Sequence, residues 1–219
     1  MAVQTKKSDF EVTKKHLVKI AKSKGIRGRD ILQGVKYSDG NKATVTDSHR
    51  ALIIQYDNEA FEDSLTNIKT LESMEIDRYP DVDRIVPQDT AIPNVVTLET
   101  SKIKEMWTTL REFKSLKIKQ SVIRFEEDAE VTHCYLECKQ DNPDDIKTDT
   151  SLYLGSMEKE KGYKITVDTE YLLNIAQFVK ETKAEAVFKF GSSIMPFVCE
   201  NTIEDKFSYQ YVLCPVRVY

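Results

Sequence analysis

Three stretches of the chain place apolar residues at helical spacing, and each is followed by runs in which apolar and polar residues alternate. Leu17, Ile20 and Ala21 form the first stripe, which predicts an amphipathic helix over residues 12–24 with Gly25 as its C-cap. Ile103, Met106, Trp107, Leu110 and Phe113 predict a second helix over 101–115, with Ser101 as N-cap. Leu172, Ile175, Ala176 and Val179 predict a third over 169–182, started by Asp168.

Period-two alternation predicts the strands. After the first helix they fall at 31–37, 42–46 and 50–56, the first two joined by the hairpin turn Ser38-Asp39-Gly40-Asn41. After the second they fall at 118–125 and 130–138, joined by the acidic turn Glu126-Glu127-Asp128-Ala129, and then at 151–154 and 163–167. After the third they fall at 186–190, 196–200 and 207–213. Residues 57–78 read as an acidic, polar loop with weak helical character, and 141–149 as an acidic connection. A helix-plus-strands unit thus recurs three times, which predicts an α+β fold with largely antiparallel sheets.

Composition supports a packed protein. The chain has 219 residues, 40% of them hydrophobic, with only 7 Gly and 6 Pro, so it suits one large domain or two small ones. No stretch approaches the roughly 18 apolar residues of a membrane helix. The N-terminus is polar and basic without an apolar signal core, so a cytoplasmic protein is expected. Cys134 and Cys138 stand on one face of a predicted strand, and with Cys199 and Cys214 they read as buried free thiols. Their spacing does not suit a zinc site, and no metal or cofactor is expected.

The net charge of −4 is unevenly spread. Residues 1–30 hold nine basic and three acidic side chains, a local +6 against −10 for the remainder. At about 100° per residue, Lys15, Lys19 and Lys22 fall opposite the first apolar stripe. On the second helix Glu105, Thr108 and Glu112 fall opposite the stripe, with Lys104 and Arg111 flanking it. On the third the opposite face is Glu170, Asn174, Gln177 and Glu181.

Catalytic readings are weak. His16, His49 and His133 are scattered, and Glu126, Glu127 and Asp128 read as a solvated turn. Asp47, Ser48 and His49 are adjacent, so on a strand their side chains point to opposite faces. Gly25-Ile26-Arg27-Gly28-Arg29 is too short and irregular for a nucleotide loop.

Three segments carry a more specific signal: Thr46-Asp47-Ser48-His49-Arg50-Ala51, Tyr79-Pro80-Asp81-Val82-Asp83-Arg84-Ile85-Val86-Pro87, and Tyr211-Val212-Leu213-Cys214-Pro215-Val216-Arg217-Val218-Tyr219. In this order, with these units between them, the chain resembles the bacterial sliding clamp, the β subunit of DNA polymerase III. Residues 88–219 resemble a complete last clamp domain. Residues 1–87 resemble the first half of the middle domain plus its junction, with the second half missing or collapsed into 57–78.

The resemblance implies a DNA-clamp architecture and a non-catalytic processivity factor that tethers a DNA polymerase, with a regulatory clamp homologue as the alternative. It implies a partner-peptide pocket made by Leu32, Thr46, Ser48, His49, Arg50 and Ala51, by Pro80, Arg84 and Ile85, and by Tyr171, Ile194, Pro215, Val216, Arg217 and Val218. Leu32, Ile85, Ile194, Val216 and Val218 would floor it. Arg50, Arg84 and Arg217 would hold peptide carbonyls or acidic flanks. It further implies double-stranded DNA, bound through its backbone without sequence preference, facing Lys15, Lys19, Lys22, Lys104 and Arg111. Clamp rings contain twelve half-domain units, so three per chain would permit a four-chain homo-oligomeric ring. The reduced length fits a phage or prophage origin.

The chain departs from the family's pattern at four places. Ser48 stands where Gly is frequent, Ala51 where Leu is frequent and Cys214 where Met is frequent, and Val218-Tyr219 extends the usual ending.

Overall fold

The computed structural model describes residues 9–217 apart from 24, 25, 27, 140–149 and 159. The predicted C-cap Gly25, the acidic connection 141–149 and the site residue Val218 lie outside the described residues. The chain divides into two compact units: Met1–Val82 with Thr202–Gln210, and Asp83–Asn201 with Tyr211–Tyr219.

In the first unit α1 (Asp9–Ala21) packs on β1 (Gly34–Ser38) and β2 (Lys42–Thr46). The helix begins three residues before the predicted start. Its first turn is anchored by distant aromatic partners, Phe10 lying 5.8 Å from Tyr56 and 5.6 Å from Phe61 between ring centroids. Thr13 and the Tyr56 hydroxyl share a 2.6 Å hydrogen bond beneath it. Leu17, Ile20 and Ala21 are buried as their spacing required. The β1–β2 turn has Asp39 at φ 55° and Gly40 at φ 77°, and the register Ser38↔Lys42 leaves residues 39–41 as a three-residue loop.

β3 (Arg50–Tyr56) continues the antiparallel ladder from β2. Two readings are corrected here. Residues 31–33 are not strand but belong to a short 3₁₀ helix, Asp30–Gln33, because the Leu32 N–H turns back to the Arg29 carbonyl at 3.0 Å. Residues 57–78 are not wholly loop. They contain β4 (Ser64–Asn67), which pairs antiparallel with β1 and buries Leu65 completely. A single apolar residue among polar ones gives no alternation to detect.

The second unit holds β5 (Asn94–Leu98), α2 (Thr100–Ser115), β6 (Gln120–Glu127), β7 (Val131–Lys139), β8 (Ser151–Glu158), β9 (Tyr163–Asp168), α3 (Thr169–Thr182) and β10 (Ala186–Phe190). β11 (Phe197–Ile203) and β12 (Phe207–Leu213) form a hairpin whose residues 202–210 belong to the first unit. Within that unit the Asp57 N–H donates to the Lys206 carbonyl at 2.9 Å. β6 to β9 make an antiparallel sheet in the order β8-β7-β6-β9. β5, which the sequence reading missed, pairs antiparallel with β10 and alternates buried and exposed along Asn94–Leu98.

α3 starts where predicted. The Asp168 carboxylate accepts the Tyr171 N–H at 3.0 Å, satisfying one of the orphan donors of the first turn. α2 does not start as predicted. Thr100 is already helical, Glu99 precedes it in extended conformation, and Ser101 sits inside the first turn. α2 and α3 pack on each other, with Lys114 paired to Glu170 at 3.0 Å. The polar face read for α3 does not hold: Asn174 is buried, and Glu170 is the one residue of the helix that is exposed rather than buried or half-buried. Trp107, read as part of the apolar stripe of α2, is half-buried, with the Lys180 ammonium 3.3 Å and the Arg111 guanidinium 4.7 Å from its ring centre.

Candidate functional site

The Thr46–Arg50 segment is a locked turn between β2 and β3. Asp47 is fully buried, and its Oδ1 accepts the His49 and Arg50 backbone N–H groups, each at 3.1 Å. Its Oδ2 receives Arg50 Nε at 3.0 Å, and Arg50 is itself only 3% exposed. The Thr46 hydroxyl donates to the Arg50 carbonyl at 2.8 Å and accepts the Ser48 N–H at 3.2 Å. This pattern is Asx-turn chemistry, in which a short acidic side chain replaces backbone partners. Ser48 sits at φ 75°, a left-handed geometry in which Gly carries no penalty, and Arg29 donates to its hydroxyl at 2.7 Å.

Tyr79 joins the second motif to this turn. It is buried, its hydroxyl accepts the Thr46 N–H at 3.0 Å, and it reaches the Gly34 carbonyl at 3.5 Å. Burial pushes the phenol well above its ordinary range, so it stays a neutral hydrogen-bonding group. The sequence reading names Pro80 and Ser48 among its site residues but not Tyr79 or Asp47, whose side chains accept the N–H groups of Thr46, His49 and Arg50. The signal for Asp47 was present: an Asp two and three residues before backbone donors at a strand end is an Asx-turn signature.

The remaining site residues separate by accessibility. In the first unit Leu32, Thr46, Arg50 and Ala51 are buried, while Ser48, His49 and Pro80 are exposed. A groove of about 660 Å³ runs beside the turn, lined by Gly28, Arg29, Asp30, Ile31, Met74, Glu75 and Arg78. In the second unit Arg84 and Ile85 sit exposed on the 3₁₀ helix Val82–Ile85, Ile194 is 77% exposed and Arg217 is exposed. Tyr171, Pro215 and Val216 are half-buried. The Val216 N–H donates to the Thr166 carbonyl at 2.7 Å, which ties Val216 to β9. Ile85 and Ile194 therefore offer apolar surface to solvent, whereas Leu32 and Ala51 serve the interior.

The DNA-facing set also divides. Lys15, Lys19 and Lys22 are all exposed at the side of α1 away from its buried stripe. Lys104 is exposed on α2, and Arg111 is exposed but stacked on Trp107. Among the described residues no group of three His, Cys, Asp or Glu is placed to hold a metal ion, and no helix is long and apolar enough to cross a membrane. Cys134 and Cys199 are buried and Cys138 and Cys214 half-buried, all four as free thiols. Burial pushes the Cys134 thiol up to about 12.

No protein-family model and no curated protein matches the chain. Solved structures do. The β sliding clamp of Caulobacter crescentus matches with TM-score 0.70 at 15% identity, over 100% of this chain and 67% of that one. The DNA polymerase sliding clamp of Pseudomonas aeruginosa matches with TM-score 0.69 at 12% identity, over 100% and 69%. That of Bacillus subtilis matches with TM-score 0.66 at 18% identity, over 96% and 62%. The chain spans about two thirds of the length of these clamps. With three α-helices among the described residues, antiparallel sheets and this match along its length, the chain has the fold of the bacterial sliding clamp.

Proposed function

We propose that the protein is a non-catalytic, clamp-like replication factor that holds a DNA polymerase near duplex DNA through a bound partner peptide. The observation that carries this reading is the clamp fold along the whole chain together with the locked Thr46–Arg50 turn. Partner peptides of this kind bring a few apolar anchors and hydrogen-bonding flanks. Ile85 and Ile194 offer the apolar contacts, and Arg84 and Arg217 the charged donors. The lysines of α1 hold duplex DNA by its phosphates, without reading bases.

The test is retention on circular DNA. A protein that encircles its substrate stays on a closed circle and leaves when the circle is linearised, whatever its equilibrium affinity. Light scattering across a concentration series supplies the companion measurement, since a ring of this chain requires a stable homo-oligomer. Loss on circular and linear DNA alike, with a strict monomer in solution, would leave the second reading: a regulatory clamp homologue that takes clamp partners without encircling DNA. One observation favours that alternative, the α3 surface, which exposes a single residue and that one acidic.

A further inference from the structure

A second cavity in the first unit, about 220 Å³, is lined by Ala21, Lys22, Ser23, Ile26, Gln33 and Lys69. It joins two lysines from separate parts of the chain. Lys22 follows the last residue of α1, still held in helical register by its N–H to the Val18 carbonyl at 3.0 Å. Lys69 comes from the turn after β4. That turn is built rather than loose. Asn67 Oδ1 accepts the Lys69 N–H at 2.8 Å and the Thr70 N–H at 3.2 Å, and the Ile68 N–H donates to the Gln33 carbonyl at 3.0 Å. Lys69 is thereby fixed beside the end of α1.

The lining residues include two lysines, a serine and a glutamine, and none of them is acidic. Asp30 accepts the Gln33 amide at 2.8 Å but does not line the cavity. The carbonyl end of α1 contributes a partial charge of about −0.5, which two full positive charges outweigh. The cavity therefore favours a compact anion, and its position past Lys15 and Lys19 on the same helix matches a polyanion running along that face. We propose that Lys22 and Lys69 together hold one phosphate of the nucleic-acid backbone in this cavity. The proposal rests on the DNA-binding reading above and adds to it a contact from the segment after β4.

The experiment measures binding of a labelled duplex over a salt series by anisotropy, for the unaltered chain and for Lys22→Gln, Lys69→Gln, the double variant and the exposed control Lys119→Gln. All five are first compared by thermal melting, since Lys69 is exposed and its removal leaves the turn's hydrogen bonds in place. A phosphate contact contributes about one unit to the slope of log affinity against log salt. Because both lysines serve one phosphate, the double variant should lose about one unit of slope, not two. An unchanged slope for the double variant, alongside clear DNA binding that reversal of Lys15 and Lys19 weakens, would overturn the cavity contact and leave the DNA reading standing. A loss of two units in the double variant would assign the lysines to separate phosphates and overturn the shared site. Absence of DNA binding by the unaltered chain would remove the reading on which the proposal rests. Inorganic phosphate is the second probe: if it shields Lys22 and Lys69 from acetylation as well as duplex DNA does at equal ionic strength, the cavity is a free-phosphate site and the nucleic-acid assignment falls.

Discussion

The hydroxyl of Tyr79 accepts the backbone N–H of Thr46 at 3.0 Å, across 33 residues of sequence. Two of the three segments that make the chain resemble a clamp are thus joined by one buried bond. Tyr79→Phe keeps the ring and deletes the acceptor. A buried donor left unsatisfied costs about 1–3 kcal/mol, and the loss should appear in chemical denaturation with an unchanged m-value. Amide hydrogen exchange at Thr46 should accelerate more than at the neighbouring positions of β2. Uniform acceleration across β2 would mean that the bond contributes to global stability only and does not hold the turn.

The Asp47–Arg50 pair should be the most sensitive point of that turn. Both residues are buried, and the carboxylate also serves two backbone donors. Asp47→Ala leaves a buried guanidinium without its counter-charge, a change worth about 3–5 kcal/mol. Asp47→Asn retains an oxygen for the His49 and Arg50 amides and should cost clearly less. Equal losses for the two variants in urea titration would assign the whole effect to charge and sink the acceptor role.

Ser48 gives a prediction with the opposite character. A left-handed conformation costs a non-glycine residue about 1–2 kcal/mol. Glycine removes that strain but loses about 0.5–1 kcal/mol through chain entropy, and it gives up the exposed bond from Arg29. The terms nearly cancel, so Ser48→Gly should shift stability by less than about 1 kcal/mol. Ser48→Val, β-branched at φ 75°, should be destabilising by more than the glycine variant. A valine variant as stable as glycine would show that the turn relaxes out of the left-handed region.

These positions also show how far the sequence could be read. α3 and its cap at Asp168 were legible because propensity, capping and stripe agree in one short segment. β4 was not, because Leu65 is its only apolar residue and its place is decided by pairing with β1. The predicted polar face of α3 fails at Asn174, which is buried; a wheel drawn from one apolar stripe records one buried side, and α3 also packs on α2. At the candidate site, the motifs name exposed Ser48 and Pro80 but not buried Tyr79 and Asp47. Their role is to hold backbone donors, which a search for binding residues does not weigh.

Alkaline pH should unfold the protein through its buried phenols. Burial raises Tyr163 from 10.0 to about 12, against a weaker opposing effect of its hydrogen bond from Asn94. Tyr56 and Tyr79 are raised for the same first reason. A raised folded-state pKa means that the native state holds protons the unfolded state has released. Stability should therefore be level below pH 10 and fall as the pH climbs from 10 towards 12 and beyond. Phenolate absorbance should rise together with loss of near-ultraviolet circular dichroism. All ten tyrosines titrating together around pH 10 in a folded protein would contradict the burial of these rings.

The helices should differ sharply in what they contribute to DNA binding. Lys15 and Lys19 are exposed on α1, and reversing both to Glu should reduce the slope of log affinity against log salt by about two units, one for each phosphate contact. Lys104 on α2 has Glu105 and Thr108 exposed beside it, so its reversal should remove about one unit at most. Arg111 should matter least, because its guanidinium lies 4.7 Å above Trp107 and leaving the ring forfeits that contact. On α3, Glu170→Lys removes the partner of Lys114 and should strengthen binding only if this helix also faces DNA. Trp107 fluorescence is a built-in monitor of the Arg111 case, since the ring contacts that guanidinium. Equal effects from α1 and α2, or none from α1, would refute the assignment of the DNA surface to the first helix.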